Sequence, residues 1–354
     1  MDERSAHGGP DLHAGHPVEP QWYPVGRRTS MLVDHGRDAR VLPAEFWYPS
    51  TDDAATGHDP SRYELMPGIS FRSAGALHDA PVRAGRHPFV LFSHGRTGMR
   101  FVASMLCEAL AARGAVVVST EHQGDSLLDW LTGSQTDDAT NEANRLADAH
   151  LVIDAVIHGA EGVPLDITNS VDPTRLVVAG HSYGAYTAFA AAAGDRGVAS
   201  HPSVRAVVGY QPYTRMMSDD LLHRLDVPYL LVVASADATT PPATDADRPW
   251  AVLSGRPAWR LDLEGATHQA STDVALYAEL VDQVPGVPDI VRDYLQASAA
   301  GGAVVAGRTW RELLRVQVEA TWAFLQEALD IDPDTATQEA ERLSQCPGLV
   351  LTRH

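Results

Sequence analysis

Apolar positions along this chain gather into short unbroken runs that alternate with stretches of helical spacing. Pro88-Phe89-Val90-Leu91-Phe92 and Ala115-Val116-Val117-Val118 are such runs, and between them Phe101, Val102, Met105, Leu106, Ala109 and Leu110 recur three and four residues apart until Gly114. This predicts a buried strand, an amphipathic helix closed by glycine, and a second buried strand. The same alternation returns downstream. Leu146, His150, Ile153 and Ile157 mark a helix, and Arg175-Leu176-Val177-Val178-Ala179 a strand opened by the turn at Asp172-Pro173. Further strands are expected at 204–208, 229–233 and 259–263, and Leu314, Val318, Trp322, Leu325 and Leu329 give a late helix its apolar stripe. Continuous apolar strands separated by helices predict an α/β chain with a mainly parallel central sheet and helices on both faces.

Polar stretches interrupt that pattern. Glu45-Phe46-Trp47-Tyr48 reads as a short strand stopped by Pro49, followed by a polar stretch rich in Gly and Pro that reads as a long surface connection. Segments 50–86, 124–145 and 271–305 are expected as loop or helical insertions that shape the pocket or a lid, with a flexible link at Ala299-Ala300-Gly301-Gly302-Ala303. Residues 1–20, rich in Gly, Pro and His, are expected as a disordered arm. Residues 21–354 are then expected to form a single catalytic domain.

Charge and composition remove several classes. A net charge of −19 argues against nucleic-acid partners, which require concentrated Lys and Arg. The two cysteines, Cys107 and Cys346, make no disulfide framework, and Cys107 reads as a buried helical thiol. His7, His13 and His16 fit no standard ligand spacing, so no metal is expected. The opening residues lack the apolar run of a signal peptide and no later segment has the length of a membrane span, so the expected location is cytoplasmic.

Candidate chemistry centres on Gly180-His181-Ser182-Tyr183-Gly184, a G-x-S-x-G motif between the strand at 175–179 and a helix over 185–193. In that strand–turn–helix setting the turn projects the serine above the sheet as a nucleophile, and small neighbours let strand and helix approach. An alkyl hydroxyl needs a general base, and the base needs a carboxylate to fix its tautomer. Asp237 follows the strand ending at Val233-Ala234, and His268 follows the next strand, giving the chain order Ser, acid, His. Asp245 and Asp247 lie beyond the strand end and read as solvated loop carboxylates, while Asp226 precedes it. His181 is expected to point elsewhere on the turn, and His201 and His223 precede the acid. Backbone N–H groups of Tyr183 and of Arg96, in the loop Ser93-His94-Gly95-Arg96-Thr97-Gly98, are the expected oxyanion donors. The Arg96 side chain is then left either to bind an anionic substrate group or to reach solvent. Glu121, His122 and Asp125, past another strand end, either line the pocket or support the oxyanion loop by hydrogen bonds, with support favoured.

Four segments together resemble the platelet-activating-factor acetylhydrolase-like branch of the α/β-hydrolases, near the dienelactone hydrolase-like bacterial esterases: Leu42 to Pro49, Phe92-Ser93-His94-Gly95, Thr120-Glu121-His122, and the serine motif. The resemblance implies the α/β-hydrolase fold and a cofactor-independent serine hydrolase that cleaves carboxylic esters through an acyl-enzyme, with Ser182, Asp237 and His268 as triad and a small-molecule ester or acyl substrate. The chain departs from the pattern at Arg96, where an apolar or aromatic residue is usual, and at Gln123-Gly124, which replaces an arginine. The same triad could instead serve lactonisation, acyl transfer or cyclisation if water were excluded. A non-catalytic ligand-binding protein on this fold is the remaining alternative.

Overall fold

The computed structural model describes residues 23–66, 69–284, 287–300, 304–305 and 307–354. The expected arm with His7, His13 and His16, and Gly301-Gly302-Ala303 of the expected flexible link, lie outside these residues. The main strands are β1 (Val25–Asp34), β2 (Arg40–Pro49), β3 (Pro60–Met66), β4 (Ile69–His78), β5 (His87–Ser93), β6 (Val116–Thr120), β7 (Val171–His181), β8 (Val204–Tyr210), β9 (Tyr229–Ala234), β10 (Ala258–Leu263) and β11 (Leu349–Arg353). The helices are α1 (Ser104–Ala112), α2 (Leu127–Thr132), α3 (Asp138–His158), α4 (Leu165–Ser170), α5 (Tyr183–Ala193), α6 (Asp219–His223), α7 (Arg248–Val252), α8 (Val274–Val281), α9 (Asp289–Ala300), α10 (Trp310–Ala328) and α11 (Pro333–Ser344).

All eleven strands join one sheet in the order β11-β10-β9-β8-β7-β5-β6-β2-β1-β4-β3. From β6 to β10 every neighbouring pair is parallel, which is the arrangement the apolar runs predict. Side chains alternate between two cores. Val90, Phe92, Val177, Ala179 and Val208 face α1, α8 and α10, whereas Phe89, Leu91, Leu176, Val178 and Val207 face α3, α5 and α6. Burial on both faces explains why these strands lack a polar alternation. Parallel register also brings strand ends together: Ser93 pairs with Gly180, Gly180 with Gly209, and Leu263 with Ala234. Loops leaving β5, β7, β9 and β10 therefore meet at one edge, the carboxyl edge where α/β sheets hold their ligands.

The antiparallel flank differs from expectation. Segment 50–86 is not one long connection but contains β3 and β4, paired with each other at the sheet margin. Aromatic side chains help anchor it: Tyr63 and Phe71 are buried with ring centroids 5.0 Å apart, and Trp47 Nε1 donates to the Tyr63 hydroxyl at 2.7 Å. Their polar neighbours dilute the strand signal in the sequence. Segment 124–145 likewise contains α2, fixed by a Ser126–Asp129 capping box, and segment 271–305 contains α8 and α9.

Candidate active site

Ser182 stands between β7 and α5 at φ 55° and ψ −119°, a backbone state that L-residues adopt at a cost of about 1–3 kcal/mol. The surroundings hold it there. Its amide donates to the Tyr210 carbonyl at 2.9 Å, and its carbonyl accepts from Ala185 and Tyr213 amides at 2.9 and 3.1 Å. Both motif glycines are required by close backbone approach. A Cβ on Gly180 would lie 2.2 Å from the Gly184 carbonyl oxygen, and one on Gly184 only 2.0 Å from that of Ser93.

The side chain meets the two residues expected from chain order. Ser182 Oγ lies 2.9 Å from His268 Nε2, and His268 Nδ1 lies 2.7 Å from Asp237 Oδ2. Asp237 Oδ1 accepts amide N–H groups from Thr239 and Thr240, both at 2.8 Å, and the Thr240 hydroxyl donates to Oδ2 at 2.7 Å. Burial works to raise the Asp237 carboxyl, yet the His268 contact and the Thr240 donors hold it below the ordinary carboxylate value. An ionised Asp237 accepts a hydrogen bond from His268 Nδ1–H, which leaves Nε2 as the acceptor facing the serine hydroxyl.

Of the rejected candidates, His181 points elsewhere than the Ser182 hydroxyl, as expected: its Nε2–H donates to the His268 carbonyl at 2.8 Å, and burial followed by the neighbouring His268 pushes it down to about 3. It is therefore neutral and braces the histidine loop. Asp245 is not a solvated loop carboxylate but a buried one, accepting amides of Thr214 and Arg215 at 2.9 and 2.8 Å and the Arg215 Nε at 2.9 Å. Asp247 does sit in the open, paired with Arg260 at 2.7 Å.

The loop after β5 borders the serine, since a Cβ on Gly95 would lie 3.3 Å from Ser182 Cβ. A buried polar framework holds this loop. His94 Nδ1–H donates to the Gly95 carbonyl at 2.7 Å, while its Nε2 accepts the His122 amide at 3.0 Å. Burial, reinforced by the Arg145 guanidinium, pushes His94 well below its usual value, so it is neutral with that tautomer. Arg145, fully buried on α3, donates to the His94 carbonyl at 2.9 Å, the Gly95 carbonyl at 3.2 Å and Asp125 Oδ2 at 2.9 Å. A trans peptide points its C=O and N–H in opposite directions. Fixing the Gly95 carbonyl on Arg145 and His94 thus turns the Arg96 amide away from that framework. Tyr183 is the first residue of α5, so its amide is among the helix donors with no intrahelical acceptor.

Other expected residues divide between support and surface. His122 is buried, with Nδ1 3.0 Å from Asp148 Oδ2, and burial together with Arg145 pushes it to about 4. Its backbone amide donates to His94 Nε2, and its ring centroid lies 5.1 Å from that of His94. Asp125 binds Arg145 and the Asn141 amide, the latter at 2.8 Å. Glu121 turns instead to Arg100 at 2.6 Å, which also binds Glu45 at 2.8 Å. The Arg96 guanidinium is half-exposed and ion-paired with Asp138 at the start of α3, 5.5 Å from the Tyr183 ring centroid. Arg145 and Thr240 are the residues that sequence reasoning missed. Among the described residues no group of three or more His, Cys, Asp or Glu is placed to hold a metal, and no helix is long and apolar enough to cross a membrane.

Comparison with known proteins agrees with this architecture. Residues 72–156 match the family described as platelet-activating factor acetylhydrolase, isoform II. That stretch holds the 93–98 loop, His122, Asp125 and Arg145 but ends before the serine motif. A solved structure, the ferulic acid esterase from Streptomyces cinnamoneus, is similar over 97% of this chain and 99% of its own, with 23% sequence identity and a TM-score of 0.66. The chain thus has the α/β-hydrolase fold, and it resembles the platelet-activating-factor acetylhydrolase-like branch of that fold.

Proposed function

We propose that this chain hydrolyses carboxylic esters by way of an acyl-enzyme on Ser182. The observation that carries the reading is the unbroken relay from Ser182 Oγ through His268 to Asp237, at 2.9 and 2.7 Å. Ser182 Oγ attacks the ester carbonyl carbon as His268 Nε2 takes the hydroxyl proton. Asp237 holds the resulting imidazolium by its Nδ1–H. The tetrahedral oxyanion takes hydrogen bonds from the amides of Arg96 and Tyr183, donors of a kind worth about 10²–10³ in kcat each. Collapse expels the alcohol, which receives the proton from His268. Water, deprotonated by the same nitrogen, then attacks the acyl carbon and releases the acid and free Ser182.

The framework of Arg145, His94 and Asp125 supports this reading because an oxyanion site works only when its donors are aimed before the reaction. The similarity to an esterase structure and to the acetylhydrolase family favours an ester over an amide. The chemistry draws on no cofactor. Mixing the protein rapidly with p-nitrophenyl acetate tests the acyl-enzyme. A burst of nitrophenol approaching one equivalent per chain, followed by slower steady release, is expected. Strictly linear release, with no acylated protein trapped on acid quench, would contradict the two-step mechanism wherever deacylation is slowed at low pH.

A further inference from the structure

We propose that Thr240 is a positioning residue for the acid–base pair, its hydroxyl sharing Asp237 Oδ2 with His268 and so limiting how much of the carboxylate charge the histidine receives. The inference rests on reading Asp237 and His268 as acid and base. Thr240 Oγ1 lies 2.7 Å from Asp237 Oδ2 and 3.2 Å from both the Gln211 carbonyl oxygen and His268 Nδ1. A hydroxyl has one hydrogen to give. The shortest contact is to an ionised oxygen, where a charge-assisted bond is strongest, so the proton goes to Asp237.

The division of labour on the carboxylate makes the hydroxyl's effect specific. Oδ1 is already held by the Thr239 and Thr240 amides, so the carboxylate keeps its orientation without the hydroxyl. Oδ2 has two donors, the imidazole Nδ1–H and the Thr240 O–H, and each weakens the other's claim on the same charge. Thr240 is 4% exposed, so water does not readily take the place of a deleted hydroxyl. The titratable group facing the pair from the nucleophile turn is His181, its ring centroid 4.8 Å from that of His268, and it is held neutral by burial.

Removing the hydroxyl therefore leaves Oδ2 to the imidazolium alone and favours protonated His268. In Thr240→Val the acidic limb of the kcat/KM–pH profile for p-nitrophenyl acetate is expected to move to higher pH by about one unit. Thr240→Ser, which keeps the hydroxyl, is expected to restore the wild-type limb. Thr240→Ala removes the same hydroxyl without a replacement methyl and carries the same expectation as valine should that variant fail to accumulate. A limb that stays in place while rates fall equally at every pH, or a serine variant that behaves like valine, overturns the proposal. Fluorophosphonate labelling of Ser182 in the wild type is measured alongside. Absence of labelling defeats the triad reading itself, whereas labelling with an unmoved limb defeats only the role of Thr240.

Discussion

Ser182→Ala is expected to lower kcat/KM for p-nitrophenyl acetate by about 10⁴- to 10⁶-fold, the loss that follows when a triad nucleophile is removed and only binding and oxyanion stabilisation remain. The loss should come without unfolding, because alanine occupies the same left-hand region of φ at the same cost and removes only the Oγ that faces His268. Ser182→Gly separates chemistry from backbone more sharply. Glycine adopts φ 55° and ψ −119° without the steric cost, which outweighs its extra entropy in the unfolded chain. The glycine variant should be as inactive as the alanine variant yet melt at a higher temperature, by an amount equivalent to about 1 kcal/mol. Circular dichroism melts of the three proteins check the order. A glycine variant less stable than alanine would show that the strain at Ser182 is not real.

Gly184→Ala should have the largest effect on the fold itself. Its Cβ would sit 2.0 Å from the Ser93 carbonyl oxygen and 2.7 Å from that of His94, and both contacts are backbone at the start of the 93–98 loop. Neither can move without displacing β5 or the loop that Arg145 holds, so the change is expected to cost about 3 kcal/mol or more. Gly57→Ala provides the control, since an added Cβ there meets nothing within 4 Å and φ is −138°. Denaturant unfolding should put Gly57→Ala near wild type and Gly184→Ala far below it, with labelling of Ser182 lost in whatever folded protein remains. Equal midpoints for the two variants would refute the packing account of the motif.

How much of this was readable from the chain depends on what each residue touches. Strands β5, β6 and β9 are legible because burial on both faces leaves a nearly unbroken apolar run, β8 and β10 because their apolar residues outnumber the polar Arg205, Arg260 and Asp262, and the serine motif is legible because its glycines answer a steric need. Asp237 and His268 follow from the rule that parallel strands deliver their trailing loops to one edge. Strands β3 and β4 are not legible: their outward residues are polar and only Tyr63, Phe71 and a few others face the core. Strand β11 pairs antiparallel with β10 from the far end of the chain, a contact no local pattern encodes. Arg145 is the clearest failure. On an amphipathic helix a charged residue reads as solvent-facing, yet this one is buried among two carbonyls and Asp125, and only the three-dimensional path of the 93–98 loop supplies those acceptors. Thr240 is hidden for a related reason, since an unremarkable threonine three residues past an acid gains its role from the side-chain geometry of Asp237.

Ser182 is proposed to act as a nucleophile activated by His268, 2.9 Å from its Oγ. The most direct test is to label the protein with a fluorophosphonate and map the modified peptide by mass spectrometry, in the wild type and in His268→Ala. One phosphonyl group per chain is expected, on the peptide containing Ser182, formed far more slowly in the histidine variant. Modification at another residue, no modification at all, or an unchanged rate in His268→Ala would contradict it.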